Sequence, residues 1–239
     1  MLARIVADEF AAAARGLARS PGFAALAVAV LSLGIGAIVF MFGVVEALLL
    51  RAPPYPDAER IYFIHGRSAE TGRLTAGVAQ GDYRALAAVE GPFAAMGSVY
   101  NGTVYVTGDG PAARYDGGFV TAGVFDVAGV PPALGRVIVP ADEAPGAPPV
   151  VVLGHRLWQE RFDGDPGVLG RTIRVNGADA RIVGVMPENF VFPVAQSLWL
   201  PAHADPAGGP AETSLMSIMV AVRLAPGVTA DEAQQALLP

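Results

Sequence analysis

The chain has 239 residues, a formal net charge of −6 at neutral pH and a composition that is 53% hydrophobic. It contains no run of basic residues, which excludes the electrostatic footprint of a nucleic-acid-binding protein. It also contains no cysteine, so disulfides, thiol catalysis and thiolate metal sites are excluded together.

The first 19 residues predict an amphipathic helix. Apolar side chains recur at helical spacing from Leu2 to Leu17, while the arginines lie mostly elsewhere around the helix. A helix of this kind, placed just before a membrane span, would lie along the cytoplasmic interface of the membrane. The alternative is a helical extension that is simply solvated, since alanines dilute its amphipathic character.

Residues 20–51 predict a transmembrane helix. No charged side chain occurs between Phe23 and Val45, and about 20 apolar residues are enough to cross the hydrocarbon core. A cleaved signal peptide would have a shorter apolar core, of roughly 7–15 residues, followed by a small-residue cleavage site. A buried helix of a soluble protein rarely stays uncharged on every face over this length.

The charges that flank this span predict its orientation. Arg4, Arg15 and Arg19 precede it, so the N-terminus is expected to be cytoplasmic and residues 52–239 extracytoplasmic, in the periplasm. Glu46 is expected to reach the membrane interface, although a functional intramembrane charge is the alternative.

Small residues on one side of the span predict a helix-packing face. When the sequence is projected at 100° per residue, six small residues share a stripe about 60° wide: Ala25, Ala29, Ser32, Gly36, Gly43 and Ala47. Small residues allow helix backbones to approach closely in a membrane. Alanine and glycine are also common in spans generally, so their ordinary abundance is the alternative.

The first part of the remaining chain predicts a strand, a helix and a hairpin. The strand covers Glu59–His65 and the helix covers Asp82–Val89. Valine and tyrosine residues flank Asn101-Gly102 within Gly97–Thr107, which predicts a hairpin with a two-residue turn at that dipeptide.

The middle part predicts a second hairpin. Tyr115–Val130 mixes strand and turn signals, and residues 140–149 contain enough proline to predict a surface loop. Val150–Leu153 predicts a buried strand and His155–Phe162 a helix. Arg171–Val185 then predicts a hairpin that turns at Asn176-Gly177.

The last part predicts a loop, a strand and a capped helix. Residues 201–213 are rich in proline and glycine, and Ser217–Leu224 predicts a strand. Thr229–Glu232 forms a capping box that begins a helix. Because only about two turns follow before Pro239, a truncated chain is expected.

The sequence predicts no enzymatic site, cofactor site or metal site. It contains no phosphate-binding loop and no Gly-x-Ser-x-Gly motif. His65, His155 and His203 lack metal-ligand spacing. Asp163 and Asp165 flank a glycine, but the loop has too few ligands for Ca²⁺ and a turn is the better interpretation.

Taken in order, the motifs of the chain resemble the N-terminal half of the MacB-like (FtsX-type) permeases of ABC transport systems, especially acidobacterial-type permeases with a MacB-like periplasmic core domain. The resemblance covers nearly the whole chain. It rests on residues 18–23, 33–36, 48–57, 118–130, 134–136, 157–162, 164–171, 176–177, 183–187 and 223–229.

This resemblance implies an α+β fold, with an N-terminal transmembrane helix followed by a periplasmic mixed α/β domain. It further implies a permease that dimerises, packs against further spans, and pairs in trans with a cytoplasmic ABC ATPase, with a periplasmic protein as a further partner. Residues 1–19, 20–51 and 52–239 are then the cytoplasmic segment, the span and the periplasmic domain. The alternative function is a single-pass sensor or ligand-binding protein whose extracytoplasmic domain works alone.

Overall fold

The computed structural model describes residues 21–45, 55–67, 71–75, 77–89, 91–108, 110–202 and 217–237. The chain separates into one unit that ends at Pro53 and another that begins at Pro54. The predicted segment 1–19, Glu46 and most of the predicted loop 201–213 lie outside the described residues.

The first unit contains helix α1 (Pro21–Val45). Its described side chains are exposed, apart from the half-buried Ala27; Leu33 is 78% exposed and Phe40 is 71% exposed. By length and composition, residues 21–43 can cross a membrane, and an 18-residue stretch within them has a mean hydropathy of 2.6. An apolar surface of this size is unfavourable in water, so it needs lipid or other helices around it.

In the second unit, the described residues form a ten-stranded sheet and four α-helices. The strands are β1 (Ile61–Ile64), β2 (Val78–Ala79), β3 (Phe93–Gly108), β4 (Gly110–Val120), β5 (Leu134–Gly135), β6 (Val150–Leu153), β7 (Thr172–Val175), β8 (Ala178–Val185), β9 (Leu198–Pro201) and β10 (Ser217–Leu224). The helices are α2 (Gln80–Ala87), α3 (Gly123–Ala128), α4 (His155–Phe162) and α5 (Ala230–Ala236). Short 3₁₀ helices cover Ala58–Arg60, Pro140–Glu143 and Pro166–Val168.

Six strands of the sheet close into a ring. The strand order is β1-β10-β3-β4-β9-β6-β8-β5, and β7 pairs with both β3 and β8. The pairs β4–β9 and β6–β8 are parallel, while the other pairs are antiparallel. Closing β3-β4-β9-β6-β8-β7 in this way satisfies backbone groups that would otherwise form exposed edges.

Two hydrophobic cores are built from alternate residues of the strands. Because side chains alternate across a strand, Val104 and Phe119 join an aliphatic-rich core with Ile182. Val99 and Val120, on the opposite face, join the core that α3 covers. That second core is rich in aromatic residues, namely Phe125, Phe190, Phe192 and Trp199.

Most of the predicted elements of this unit are confirmed. The predicted strands at Val150–Leu153 and Ser217–Leu224 and the helix at His155–Phe162 have the expected bounds. The hairpin around Asn176-Gly177 is confirmed, with positive φ at both turn residues. Thr229 caps α5 through the predicted capping box.

The predicted hairpin turn at Asn101-Gly102 is wrong. Both residues lie inside β3, and the reversal of the chain occurs instead between Gly108 and Gly110. Both of these glycines have a positive φ, of 110° and 111°. The predicted loop at residues 140–149 begins with the 3₁₀ helix Pro140–Glu143 rather than being irregular throughout.

Candidate functional site

The predicted helix-packing face lies on α1. Ala25, Ala29, Ser32, Gly36 and Gly43 are all exposed. A Cβ atom placed on Gly36 or Gly43 would meet no described atom within 4 Å. Ala47, the sixth residue of the face, lies outside the described residues. The face remains a prediction, because it can be tested only by observing whether other helices pack against it.

A second candidate site lies where the chain enters the sheet domain after the span. Here a single arginine, Arg223 of β10, holds two distant segments together. Arg223 is 9% exposed, and a guanidinium buried in this way requires hydrogen-bond acceptors to compensate for lost hydration. Nη1 donates to the carbonyl oxygen of Pro56 at 2.8 Å. Nε and Nη2 donate to the carbonyl oxygen of Val127 at 3.0 and 2.7 Å.

The Val127 carbonyl belongs to the last turn of α3. The final carbonyls of a helix have no partner within the helix and carry its partial negative charge. Gly129 ends α3 with φ of 65°, and a Cβ there would lie 3.1 Å from Nη2 of Arg223. The glycine therefore both supplies the left-handed conformation of the C-cap and leaves space for the guanidinium.

A second arginine, Arg60, lies within the segment that follows the span and bonds it to β10. Arg60 donates through Nε and Nη2 to the carbonyl oxygen of Leu224, at 3.0 and 2.5 Å. Asp57, which has a left-handed backbone with φ of 46°, lies 3.4 Å from Arg60 and 4.0 Å from Arg223. Because β1 and β10 are also paired strands, the segment 56–64 is attached to β10 at Pro56, at Arg60 and along β1.

Aromatic packing adds to this attachment. Tyr55 makes edge-on contacts with Phe192 and Phe190, with ring centroids 5.3 and 6.4 Å apart. Burial raises the pKa of the Tyr55 phenol above its ordinary value, against the smaller opposing effect of the Val191 backbone N–H. Phe63 of β1 stacks on Phe192, with ring centroids 6.1 Å apart. We call Tyr55, Pro56, Asp57, Arg60 and Arg223 the junction site.

The other end of α3 is held by a carboxylate. Oε1 of Glu143 accepts a hydrogen bond from the backbone N–H of Ala122 at 2.5 Å, where a negative charge complements the helix dipole. Glu143 ends the 3₁₀ helix that follows Arg136. Arg136 and Asp142 form a two-bond ion pair of 2.5 and 2.9 Å. The hydrogen bond from Arg136 is the main cause that lowers the pKa of Asp142.

The family model for the MacB-like periplasmic core domain matches residues 24–239. The chain belongs to the MacB-like periplasmic core domain family. None of the curated proteins compared with the chain matches its sequence.

Two solved structures share the fold of this MacB-like domain. The periplasmic region of MacB from Actinobacillus actinomycetemcomitans aligns with a TM-score of 0.56 and 18% identity, covering 74% of this chain and 79% of that one. The extracellular domain of the noncanonic ABC-type transporter YknZ from Gram-positive bacteria aligns with a TM-score of 0.53 and 15% identity, covering 74% and 86%. These similarities confirm the predicted mixed α/β fold.

The MacB-like domain also has a shallow groove on the sheet. Its volume is about 510 Å³, and it is lined by Asn101, Gly102, Thr103, Asp116, Val194, Ala195 and Gln196. A hydrogen bond of 2.6 Å from Nε2 of Gln196 to Oδ1 of Asn101 joins its two sides. Asp116 is the charged residue of this lining, so the groove suits a neutral or cationic ligand better than an anion.

The described residues form no metal-binding cluster. Among the described residues, no group of three or more metal-ligating side chains is close enough to hold an ion. Asp165 instead accepts hydrogen bonds from the Gly167 backbone and from Arg171, at 2.8 and 2.6 Å. The backbone turns at Asp163 and Gly164, which confirms the predicted turn.

Arg223 lies in one of the stretches on which the resemblance rests, residues 223–229, but that stretch alone implies no role for it. One signal could have found it, because Arg223 is the charged residue of the apolar strand SIMVAVRL. A charge at a position with buried neighbours needs acceptors from elsewhere in the fold. Glu143 gave no comparable signal, because it lies in a polar, proline-rich stretch.

Proposed function

We propose that this protein is the permease subunit of a MacB-like ABC system and supplies the first span and the periplasmic domain. ATP hydrolysis would take place in a separate cytoplasmic subunit, and movement of the spans would be passed to the domain. The observation that carries this proposal is the junction site, where buried Arg223 bonds the Pro56 carbonyl to the body of the domain. A flexible tether would need no such attachment.

The proposed orientation has a cytoplasmic N-terminus and a periplasmic domain. It rests on Arg4, Arg15 and Arg19, which precede α1. Because the chain has no cysteine, single cysteines can be introduced without background. A membrane-impermeant maleimide is expected to label Ala144→Cys in spheroplasts and to label Ala3→Cys only after lysis. The reverse pattern would overturn the orientation.

The proposed dimerisation, or packing against further spans, uses the small-residue face of α1. Gly36→Ile and Gly43→Ile are expected to lower association of the span at least threefold in a membrane two-hybrid assay, since bulk keeps helix backbones apart. Gly34→Ile is the matched control, because Gly34 is equally uncovered but lies off the face. Equal losses in all three variants would remove the face from the proposal.

The proposed ATPase partner can be tested in native membranes. Affinity purification from cells that carry the gene in its natural setting is expected to recover an ABC ATPase at a fixed ratio. The reading frame beyond Pro239 is expected to encode further spans. Membranes that yield the protein without an ABC subunit, together with a frame that encodes no further span, would contradict the permease function.

The second candidate function is a single-pass sensor or ligand-binding protein, and the groove beside Asn101 favours it. Its volume lies within the range of roughly 300–1,000 Å³ that is usual for small-molecule sites. Under this function, one of a panel of free amino acids and disaccharides raises the Tm of the purified protein by about 2 °C or more at saturating ligand. Gln196→Ala should abolish the shift and Arg156→Ala, at an exposed position on α4, should not. A panel without any shift would count against this function.

A further inference from the structure

Helix α3 is held at its two ends by oppositely charged side chains from different parts of the chain. Arg223 bonds the carbonyls at the C-terminal end, and Glu143 accepts from the backbone N–H at the N-terminal end. Each charge has the sign that the helix dipole favours at that end. The guanidinium of Arg223 that binds α3 also binds the Pro56 carbonyl, so one side chain of β10 contacts both the helix and the segment that follows the span.

The helix between these two charges has little freedom to move by itself. Val124, Phe125, Val127 and Ala128 are all 3% exposed or less. Its backbone also lies directly against β3, because a Cβ at Gly97 would come within 2.2 Å of the Val124 nitrogen. Close-packed interiors of this kind transmit displacement rather than absorbing it.

Beyond Glu143, the contacts continue to the surface. Glu143 is the last residue of the 3₁₀ helix Pro140–Glu143, and Asp142 beside it is fixed by Arg136 and by the Val139 backbone N–H. Pro140, Ala141 and residues 144–146 are exposed, whereas Ile138 is 1% exposed and lies in the core that α3 covers. We call residues 136–147 the surface turn.

We propose that α3 is a rigid relay that couples the residues following the span, Pro56 and Asp57, to the surface turn. The links run from the Pro56 carbonyl to Arg223 at 2.8 Å, from Arg223 to the Val127 carbonyl at 2.7 Å, and from the Ala122 N–H to Glu143 at 2.5 Å. Only the purpose of the relay rests on the proposed function: it would present movement of the span to a partner at the surface turn. The coupling itself is a property of this chain.

Coupling between two sites is reciprocal, and hydrogen exchange of the full chain in nanodiscs can measure both directions. Arg223→Lys keeps the charge but loses the fork of donors, and it is expected to raise exchange at least threefold in the surface turn. Glu143→Ala is expected to raise exchange at least threefold at residues 56–60, where the Arg60 N–H bonds the Asp57 carbonyl. Glu143→Gln, which retains an acceptor oxygen, should restore part of the protection.

Arg171→Lys is the matched control, because Arg171 is an ion-paired arginine of the same domain outside the relay. It should change exchange at neither end. Exchange in β6 must stay unchanged in all variants, since a rise there would report global unfolding.

If each substitution raises exchange only at its own end of α3, or if exchange in β6 rises in parallel, the relay is wrong. If Arg223→Lys does not fold, Glu143→Ala decides the question alone. A working relay without an ATPase partner would refute the permease function and leave the coupling intact.

Discussion

The dipeptide Asn-Gly occurs twice in this chain, and its two copies have opposite conformations. Asn176-Gly177 reverses the chain between β7 and β8, whereas Asn101-Gly102 lies extended in the middle of β3. Both copies are flanked by residues that favour strands, so local sequence makes the same prediction for each. The difference shows where tertiary packing overrides a turn signal.

Asn176-Gly177 forms the turn because nothing around it opposes the turn. The φ angles are 50° and 85°, as a two-residue turn with both central residues in the left-handed region requires. Asn176 also docks on β3, since its Oδ1 accepts from the Tyr105 N–H and its own N–H donates to the Tyr105 carbonyl, both at 2.9 Å. Here local preference and tertiary contacts agree.

Asn101-Gly102 stays extended because the neighbouring strand and the core demand it. Asn101 pairs with Gly118 and Gly102 with Gly117 across the β3–β4 ladder. The ring of Phe119 lies over Gly102, where a Cβ would come within 2.8 Å of Cε2. The absence of a side chain at Gly102 therefore serves packing rather than backbone reversal.

Gly102→Ala should cause the largest loss of stability in this comparison. The new methyl group must displace the Phe119 ring, which is 2% exposed and stacked on Tyr100 at 4.7 Å. Overpacking of this kind costs about 2 kcal/mol, measurable as the free energy of unfolding in urea at constant detergent. The double variant with Phe119→Leu should lose less than the sum of the single losses. A loss below about 0.5 kcal/mol would show that the ring yields freely.

Asn176→Ala should cost somewhat less, about 1.5 kcal/mol. It removes the acceptor of the Tyr105 N–H and places alanine at a φ of 50°. The same urea titration measures it, and Asn176→Asp is the control because aspartate keeps an acceptor and tolerates this conformation. Equal losses for alanine and aspartate would argue against the role of the side-chain oxygen.

Gly177→Ala should lower the free energy of unfolding by about 1 kcal/mol, solely because alanine is strained at a positive φ. Gly177 has φ of 85°, and an added Cβ would meet no described atom within 4 Å. Gly177→Asn should recover part of this loss, since asparagine enters the left-handed region more readily than alanine. If Gly177→Ala exceeded Gly102→Ala, the contrast between a turn glycine and a packing glycine would be broken.

Asn101→Thr should have the smallest effect, within about 0.5 kcal/mol of the parent chain. Asn101 is exposed in a strand, and threonine favours strands, which offsets the lost hydrogen bond from Gln196. A threonine at position 176 should be costly by comparison, because β-branched residues resist positive φ. Similar losses at positions 101 and 176 would mean that the two copies of the dipeptide do not differ in role.

The second half of the domain was predictable from sequence to a useful degree, and the first half less so. β6, α4, the β7–β8 hairpin and the cap of α5 each depend on neighbouring residues, such as Thr229 and Glu232 three positions apart. The long β3–β4 pair was missed because its register depends on Phe119 and on the ring of strands. The junction site joins residues more than 160 positions apart, from Pro56 to Arg223, and no local pattern can contain it.

The sequence by itself determined that residues 21–45 form a helix that needs an apolar environment, because a long uncharged run favours lipid and a single segment in lipid can satisfy its backbone only within itself. It also determined the Asn176-Gly177 turn and the helix cap at Thr229, since both require only adjacent residues. The tertiary structure alone decided that Asn101-Gly102 does not turn, because Phe119 occupies the space above Gly102. It alone decided that Arg223 joins the Pro56 carbonyl to α3, since a buried guanidinium must find its acceptors wherever the fold brings them.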